Sequence, residues 1–303
     1  MKLESKIPLF LIESLEKQYG KDTTERILDG YNRKRKVTLR VNTIKTSCEE
    51  VKIKLSEANI EYEEVAWYKD ALIIKNADEN DIRKLDIYEN GEIYLQSLSS
   101  MLPPLLLEPK QGENILDMAA APGSKTTQIA ALTNNESMIT ACEMNQVRSE
   151  RLKYNLEKQG VTCTYVMVTD SRRLNDFLSF DKILLDAPCS GSGTIYEEDE
   201  KLAKTFTQKL VSKSSETQLA LLKKAIKLLK PNAEMIYSTC SILECENEQI
   251  VQNALKGTNT EIVSIDFENL QDIPYLPTKI AGTMCVCPNE LFEGFFIAKI
   301  KKN

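Results

Sequence analysis

The chain contains no histidine. That excludes a histidine general base and any metal site with a histidine ligand. It has no apolar run approaching the ~18 residues needed to cross a bilayer, so no membrane association is expected. The opening stretch, MKLESKIPLFLIESLEKQYG, mixes acidic residues into its apolar part and offers no small-residue cleavage site. It predicts an amphipathic helix, not a secretory signal. A regular cysteine framework is also missing. The eight cysteines, at 48, 142, 163, 189, 240, 245, 285 and 287, read as reduced thiols of a cytoplasmic protein. Cys285 and Cys287 form a lone Cys-x-Cys with nothing to complete a zinc site, so they read as strand or loop residues and no metal is expected. Basic charge is not in excess: 39 Lys and Arg face 45 Asp and Glu, a net charge of −6. That argues against a protein that coats nucleic acid nonspecifically, but leaves room for a local basic groove.

What is present is ordinary for a soluble globular protein, with 42% hydrophobic and 28% charged residues. A length of 303 residues suits a large core plus a smaller module, and a monomer is expected. Residues 1 to about 30 predict one or two helices, with Leu9, Ile12, Leu15 and Tyr19 at helical spacing. Residues 37–44 alternate like a strand, 47–58 suit a helix, and 62–74 suit a hairpin turning near Lys69-Asp70. This predicts a small α+β module over residues 1–95, with the larger domain over 96–303.

From residue 113 short apolar runs alternate with helical stretches. The runs fall at 114–120, 137–144, 164–170, 182–188, 234–240, 261–265 and 294–300. A helix over 215–230 carries Leu219, Leu222, Ile226 and Leu229, and Pro231 is expected to end it. Strands alternating with helices predict a doubly wound α/β sheet, with ligands at the carboxyl ends of its strands.

The first run ends in Asp117-Met118-Ala119-Ala120-Ala121-Pro122-Gly123-Ser124-Lys125-Thr126. Small residues let backbone approach a ligand where the next helix begins. A phosphate-binding P-loop does not fit, because Ser124 separates Gly123 from Lys125 and position 118 is Met. Successive runs end at Glu143, Asp170 and Asp186. Each alone is most simply a polar residue leaving a strand. Together they point to an adenosine-type ligand, since an acid at such a strand end suits a ribose diol and G-x-G-x-x-G is lacking. Cys189 follows the fourth run and Cys240 the fifth. A single cysteine is more often structural, but two beside a predicted ligand site favour chemistry.

These residues resemble the Sun (NSUN) family of RNA cytosine-C5 methyltransferases. The resemblance lies in DMAAAPGSKTTQIA (117–130), DAPCSGSG (186–193), YSTCSILECENE (237–248) and GFFIAKI (294–300), with RVNTIK (40–45) and YLQSLSSMLPPLLLEP (94–109) upstream. It implies a class I, Rossmann-like methyltransferase fold with an N-terminal RNA-recognition-like module, and S-adenosyl-L-methionine as cofactor. It implies that Ala119 to Lys125, Glu143, Asp170 and Asp186 line the methyl-donor site. Cys240 would be the nucleophile, Cys189 would assist release, and Lys125 and Asp186 would reach the target base. Such chemistry is reasonable: a thiolate adding to C6 makes C5 nucleophilic, and the charge that develops on the ring needs an acid or a cation. Without histidine, Cys189 as thiolate or a water it orients would take the C5 proton.

The implied partner is RNA, ribosomal or transfer. Arg33, Lys34, Arg35, Lys36 and Arg40 are the expected phosphate-binding patch, against the plainer reading of a solvated charge run. Two departures from the family stand out: Ala119 where cysteine is common, and MCVCPNELFE (284–293) where Arg and His often precede the final Gly-Phe-Phe. Two rivals remain at this stage. One is an amino-group methyltransferase, which would carry Asp/Asn-Pro-Pro-Tyr/Phe in place of Asp-Ala-Pro-Cys and would have no use for paired cysteines. The other is a noncatalytic RNA-binding or ribosome-assembly factor of the same fold, against which the intact cysteines argue.

Overall fold

The computed structural model describes residues 7–196 and 205–303. The N-terminal segment forms α1 (Leu9–Tyr19) and α2 (Lys21–Tyr31), with Gly20 at φ 78° making the break between them. The expected N-terminal helix starts at Leu9, and residues 1–6 lie outside the described residues.

A small module follows: β1 (Thr38–Val41), α3 (Cys48–Glu57), β2 (Tyr62–Glu64), β3 (Ala71–Ile74), α4 (Glu79–Arg83), α5 (Asp86–Glu89) and β4 (Ile93–Leu95). Ser47 starts α3 through a reciprocal cap: its hydroxyl accepts the Glu50 amide at 3.2 Å, and the Glu50 carboxylate accepts the Ser47 amide at 2.9 Å. The strands pair antiparallel in the order β2-β3-β1-β4. Leu39, Val41, Leu72 and Ile74 pack on Val51 and Leu55 of α3. The predicted alternation is present in β1, yet all four of its residues are buried. The polar side, Thr38 and Arg40, faces the larger body instead of solvent: Arg40 donates to Thr127 of that body at 2.9 Å. The fourth strand, β4, was not expected from the sequence.

The larger body contains α6 (Leu98–Leu107), β5 (Asn114–Asp117), α7 (Ser124–Leu132), β6 (Met138–Glu143), α8 (Gln146–Lys158), β7 (Thr164–Val168), β8 (Phe180–Asp186), α9 (Gln208–Leu228), β9 (Leu229–Thr239), α10 (Glu248–Leu255), β10 (Thr260–Val263), β11 (Met284–Val286) and β12 (Phe295–Lys302). The sheet order is β10-β12-β9-β8-β5-β6-β7, with β11 paired to β12. Strands β9, β8, β5, β6 and β7 are parallel neighbours, and β12 runs antiparallel between β9 and β10. This is a Rossmann-like doubly wound sheet, and every predicted run from 113 onward became a strand. Two details differ. Strand β11 was unforeseen, and α9 ends at Leu228, three residues before the predicted stop. Pro231 lies inside β9 beside a register shift opposite Phe180–Lys182, an irregularity where a missing amide is tolerated.

Both sheet faces are buried, which is why the strands read as continuous apolar runs. On one face Leu116, Ile183, Leu185, Tyr237 and Phe296 pack with Leu222 and Ala225 of α9 and with Leu11 and Leu15 of α1. On the other, Ile115, Leu184, Ile236 and Ile297 pack with Met101 and Leu102 of α6 and Ile129 of α7. Chain order reverses at β5, with β6 and β7 on one side and β8 and β9 on the other. That reversal opens a crevice at the carboxyl ends of the strands.

Candidate active site

Two cavities meet at this crevice. The smaller, about 260 Å³, is lined by Met118, Ala119, Ala121, Glu143, Asp170 and Leu221, among others. The larger, about 730 Å³, takes in Pro122, Ser124, Lys125 and Phe295. Asp186 and Cys240 line both. The residues expected in the methyl-donor site are thus divided. Ala119, Ala121, Glu143 and Asp170 face the small cavity, while Pro122, Ser124 and Lys125 face the large one. Ala120 is buried, its amide tied to the Cys142 carbonyl at 2.9 Å.

The 117–124 loop is held from below and from the side. Burial pushes Asp117 up to about 6, even though the Thr126 hydroxyl donates to it at 2.7 Å. Arg148 and Asn155 of α8 donate to the carbonyls of Ala121 and Pro122 at 2.8 and 2.7 Å. Gly123 caps α7 at φ 109°, where a Cβ would press within 3.0 Å of Leu152. Glu143 is buried and accepts the Asn145 amide at 2.8 Å, with Arg148 at 3.5 Å from its other oxygen. Asp170 grips the Arg172 guanidinium, 2.7 Å at the closest approach, and this bond holds its carboxyl below the usual range.

On the chemistry side, Lys125 Nζ lies 2.7 Å from Asp186 Oδ2 and donates to Ser100 Oγ at 2.8 Å. Burial works against its charge, but Asp186 more than compensates and raises its pKa, so the ammonium persists. The other Asp186 oxygen accepts from Ser238 Oγ at 2.8 Å. Cys189 and Cys240 sulfurs are 3.2 Å apart. Hydrogen bonding to Cys240, burial and the nearby Glu246 carboxylate push the Cys189 thiol well above its ordinary value. The loops bearing these groups cross at two glycines. The Gly193 amide donates to the Cys240 carbonyl at 2.9 Å, and Gly294 donates to the Gly193 carbonyl at 2.8 Å. A Cβ on Gly193 would lie 2.0 Å from the Gly294 carbonyl oxygen, so this crossing admits no side chain. The sequence motifs at 186–193, 237–248 and 294–300 therefore converge on one spot.

The expected basic patch assembles only in part: Lys34, Arg35 and Lys36 line one cavity of about 500 Å³. Arg33, Lys34 and Lys36 are exposed, and Arg33 pairs with Asp29 at 3.2 Å. Arg35 turns inward toward the carbonyls of Gly193, Thr194 and Ile195 and braces the Cys189 loop. Arg40 is 0% exposed, donating to Gln96 and Thr127 at 3.0 and 2.9 Å. As a component of a surface patch, Arg40 is a correction: the polar face of its strand is covered by the larger body. A different basic wall flanks the large cavity, formed by Arg83, Arg151 and Lys158 with Tyr88, Tyr94 and Tyr154. Sequence reading missed it. The available signal was Arg151, Tyr154, Asn155 and Lys158 at helical spacing on α8, but Arg83 and Tyr94 join them only in space.

The family model for the 16S rRNA methyltransferase RsmB/F matches residues 104–301. This chain belongs to that family. A second model, the ferredoxin-like domain of RsmF/B-like methyltransferases, matches residues 7–80. Among relatives of this RsmB/F member, the tRNA (cytosine(49)-C(5))-methyltransferase of Pyrococcus abyssi is 35% identical over 96% of each chain. The ribosomal RNA small subunit methyltransferase F of Vibrio atlanticus is 38% identical over 88% of this chain and 57% of that protein, so the chain spans little more than half of it. A solved methyltransferase homolog from Pyrococcus horikoshii superposes with a TM-score of 0.82 at 30% identity, covering 98% of this chain and 100% of that one. The Sun-family resemblance and the Rossmann-like fold both stand. No helix among the described residues is long and apolar enough to cross a membrane.

Proposed function

We propose that this RsmB/F-family chain methylates C5 of cytosine in a ribosomal or transfer RNA, using S-adenosyl-L-methionine and a covalent bond between Cys240 Sγ and C6 of the base. One observation carries the reading: Asp186 and Cys240 form the shared wall of two cavities, with Cys189 3.2 Å from Cys240. The small cavity fits the cofactor's chemistry. Carboxylates at Glu143, Asp170 and Asp186 suit a ribose diol and a positive charge, and Met118, Pro188 and Leu221 supply apolar wall. When bound there, S-adenosyl-L-methionine supplies an electrophilic methyl carbon.

The large cavity takes the base. Cys240 Sγ forms a bond to C6 as its proton passes to Asp186, and C5 gains enamine character. Electron density moves onto the N3–O2 side of the ring. Asp186, held by Lys125 and Ser238, delivers that proton to N3, and the Lys125 ammonium opposes the charge as it develops. With C5 methylated, the C5 proton must leave and the Cys240–C6 bond must break. Cys189 is held as a thiol in the resting site, so a water oriented by it is better suited to accept that proton than a standing thiolate. The basic and tyrosine wall of the large cavity suits an unstacked nucleotide and its neighbouring phosphates.

The test is Cys240→Ala. Methyl transfer to unmodified transcripts of small-subunit rRNA and tRNA should fall by about 10⁴-fold or more, with cofactor binding by calorimetry unchanged. A variant with full activity would rule out this nucleophile. Cofactor binding without any methyl transfer by the native chain would favour the noncatalytic RNA-binding reading.

A further inference from the structure

Glu246 is 0% exposed and plays no part in the mechanism above. Among the described residues no cation is bonded to it. Its partners instead belong to the two cysteine loops. One oxygen accepts the Ser190 amide at 2.8 Å and the Gln218 amide group at 3.3 Å. The other accepts the hydroxyls of Ser190 and Ser241, at 2.5 and 2.6 Å. Ser190 follows Cys189 and Ser241 follows Cys240. Gln218 also donates to the carbonyl of Pro188 at 3.0 Å, immediately before Cys189. The Glu246 carbonyl is itself fixed by the Tyr237 hydroxyl at 2.6 Å. One carboxylate thus ties the residues that follow Cys189 and Cys240, and reaches the residue before Cys189 through Gln218.

Burying a carboxylate without a cation is costly, and four donors are needed to hold it there. A fold needing only to join two loops would do so more cheaply with apolar contacts. We infer that Glu246 is a positioning residue: its carboxylate fixes the register of the Cys189 and Cys240 loops and so sets the separation and orientation of the two sulfurs. Its negative charge also bears on Cys189 and helps keep that thiol protonated. The inference rests on the proposed cysteine chemistry, so its test includes a readout that needs no RNA.

The experiment compares Glu246→Gln and Glu246→Ala with the native chain. Two quantities are followed: steady-state methylation of unmodified rRNA and tRNA transcripts, and the pH dependence of iodoacetamide alkylation at each cysteine, resolved by mass spectrometry. Glu246→Ala should lower kcat about 100-fold with KM for RNA within about threefold, as expected for misplaced reacting groups. Glu246→Gln can rebuild the hydroxyl bonds with donor and acceptor exchanged, and should recover most of kcat. Having lost the charge, it should also alkylate at Cys189 from a lower pH than the native chain. A native kcat in Glu246→Ala overturns the positioning role, and superimposable alkylation profiles in Glu246→Gln overturn the electrostatic one. If Glu246→Ala does not fold, Glu246→Asp, too short to hold both loops at once, carries the kcat comparison, and a native kcat there overturns the positioning role. Cys240→Ala tests the proposed chemistry separately: full activity in that variant removes the nucleophile whatever the Glu246 variants do.

Discussion

The two halves of the crevice are built differently. The cofactor side comes largely from one stretch of chain: residues 117–124 leave β5, enter α7, and are held by α8, the next helix along. The thiol side joins loops 51 residues apart and is braced from much further away. Tyr31 donates to the Ser192 carbonyl, Gln18 and Tyr19 donate to that of Ile242, and Arg35 faces three carbonyls of the 193–195 turn. The N-terminal segment thus buttresses the two cysteine loops while leaving the 117–124 loop to its own sequence neighbours. A binding site that tolerates small shifts can be local. A pair of sulfurs that must address adjacent atoms of one base needs support from several elements.

That contrast can be broken by substitution. After the cysteines themselves, Lys125→Met should have the largest effect, lowering kcat about 10³-fold, because it removes a preorganised cation from the charge that develops on the ring. Single-turnover methylation at saturating cofactor measures it, and a rate within a few-fold of native would place Lys125 outside the chemistry. Glu143→Ala should act on the other side only. Losing a buried carboxylate acceptor should weaken cofactor binding about tenfold to 100-fold by calorimetry, with little change in kcat at saturation. If kcat falls and affinity holds, the two sides are not separable as described. Arg151→Ala with Lys158→Ala should raise KM for RNA about tenfold and flatten its dependence on salt, leaving both other sides intact. The same pair of changes at Arg33 and Lys34 is expected to do less, since those residues lie on no wall of the large cavity.

How much of this was legible beforehand follows the same division. The strand ends were readable because both faces of the sheet are buried, so each strand appears as an apolar run closed by an acid. Asp117, Glu143 and Asp186 close β5, β6 and β8, and Asp170 lies two residues past the end of β7. Cys189 and Cys240 were readable from motif, and their meeting follows from β8 and β9 being neighbours. Arg40 misled because alternation along a strand says that its two faces differ, not that the polar one is wet. Here it is buried on Gln96 and Thr127. Arg35 was legible as a basic residue but not as a half-buried one, because a run of like charges hides which member turns inward. The Arg83, Arg151 and Lys158 wall and the Glu246 hub are contacts between distant segments, and nothing in local spacing announces them.

The central claim is that Cys240 carries the base and Cys189 frees it. The most direct measurement incubates Cys189→Ala with unmodified rRNA and tRNA transcripts and cofactor, denatures the mixture, and maps any protein–RNA crosslink by mass spectrometry. The account predicts a denaturation-resistant adduct on the peptide containing Cys240, absent when Cys240 is also replaced. An adduct on any other residue, or none with an RNA that the native chain methylates, would contradict it.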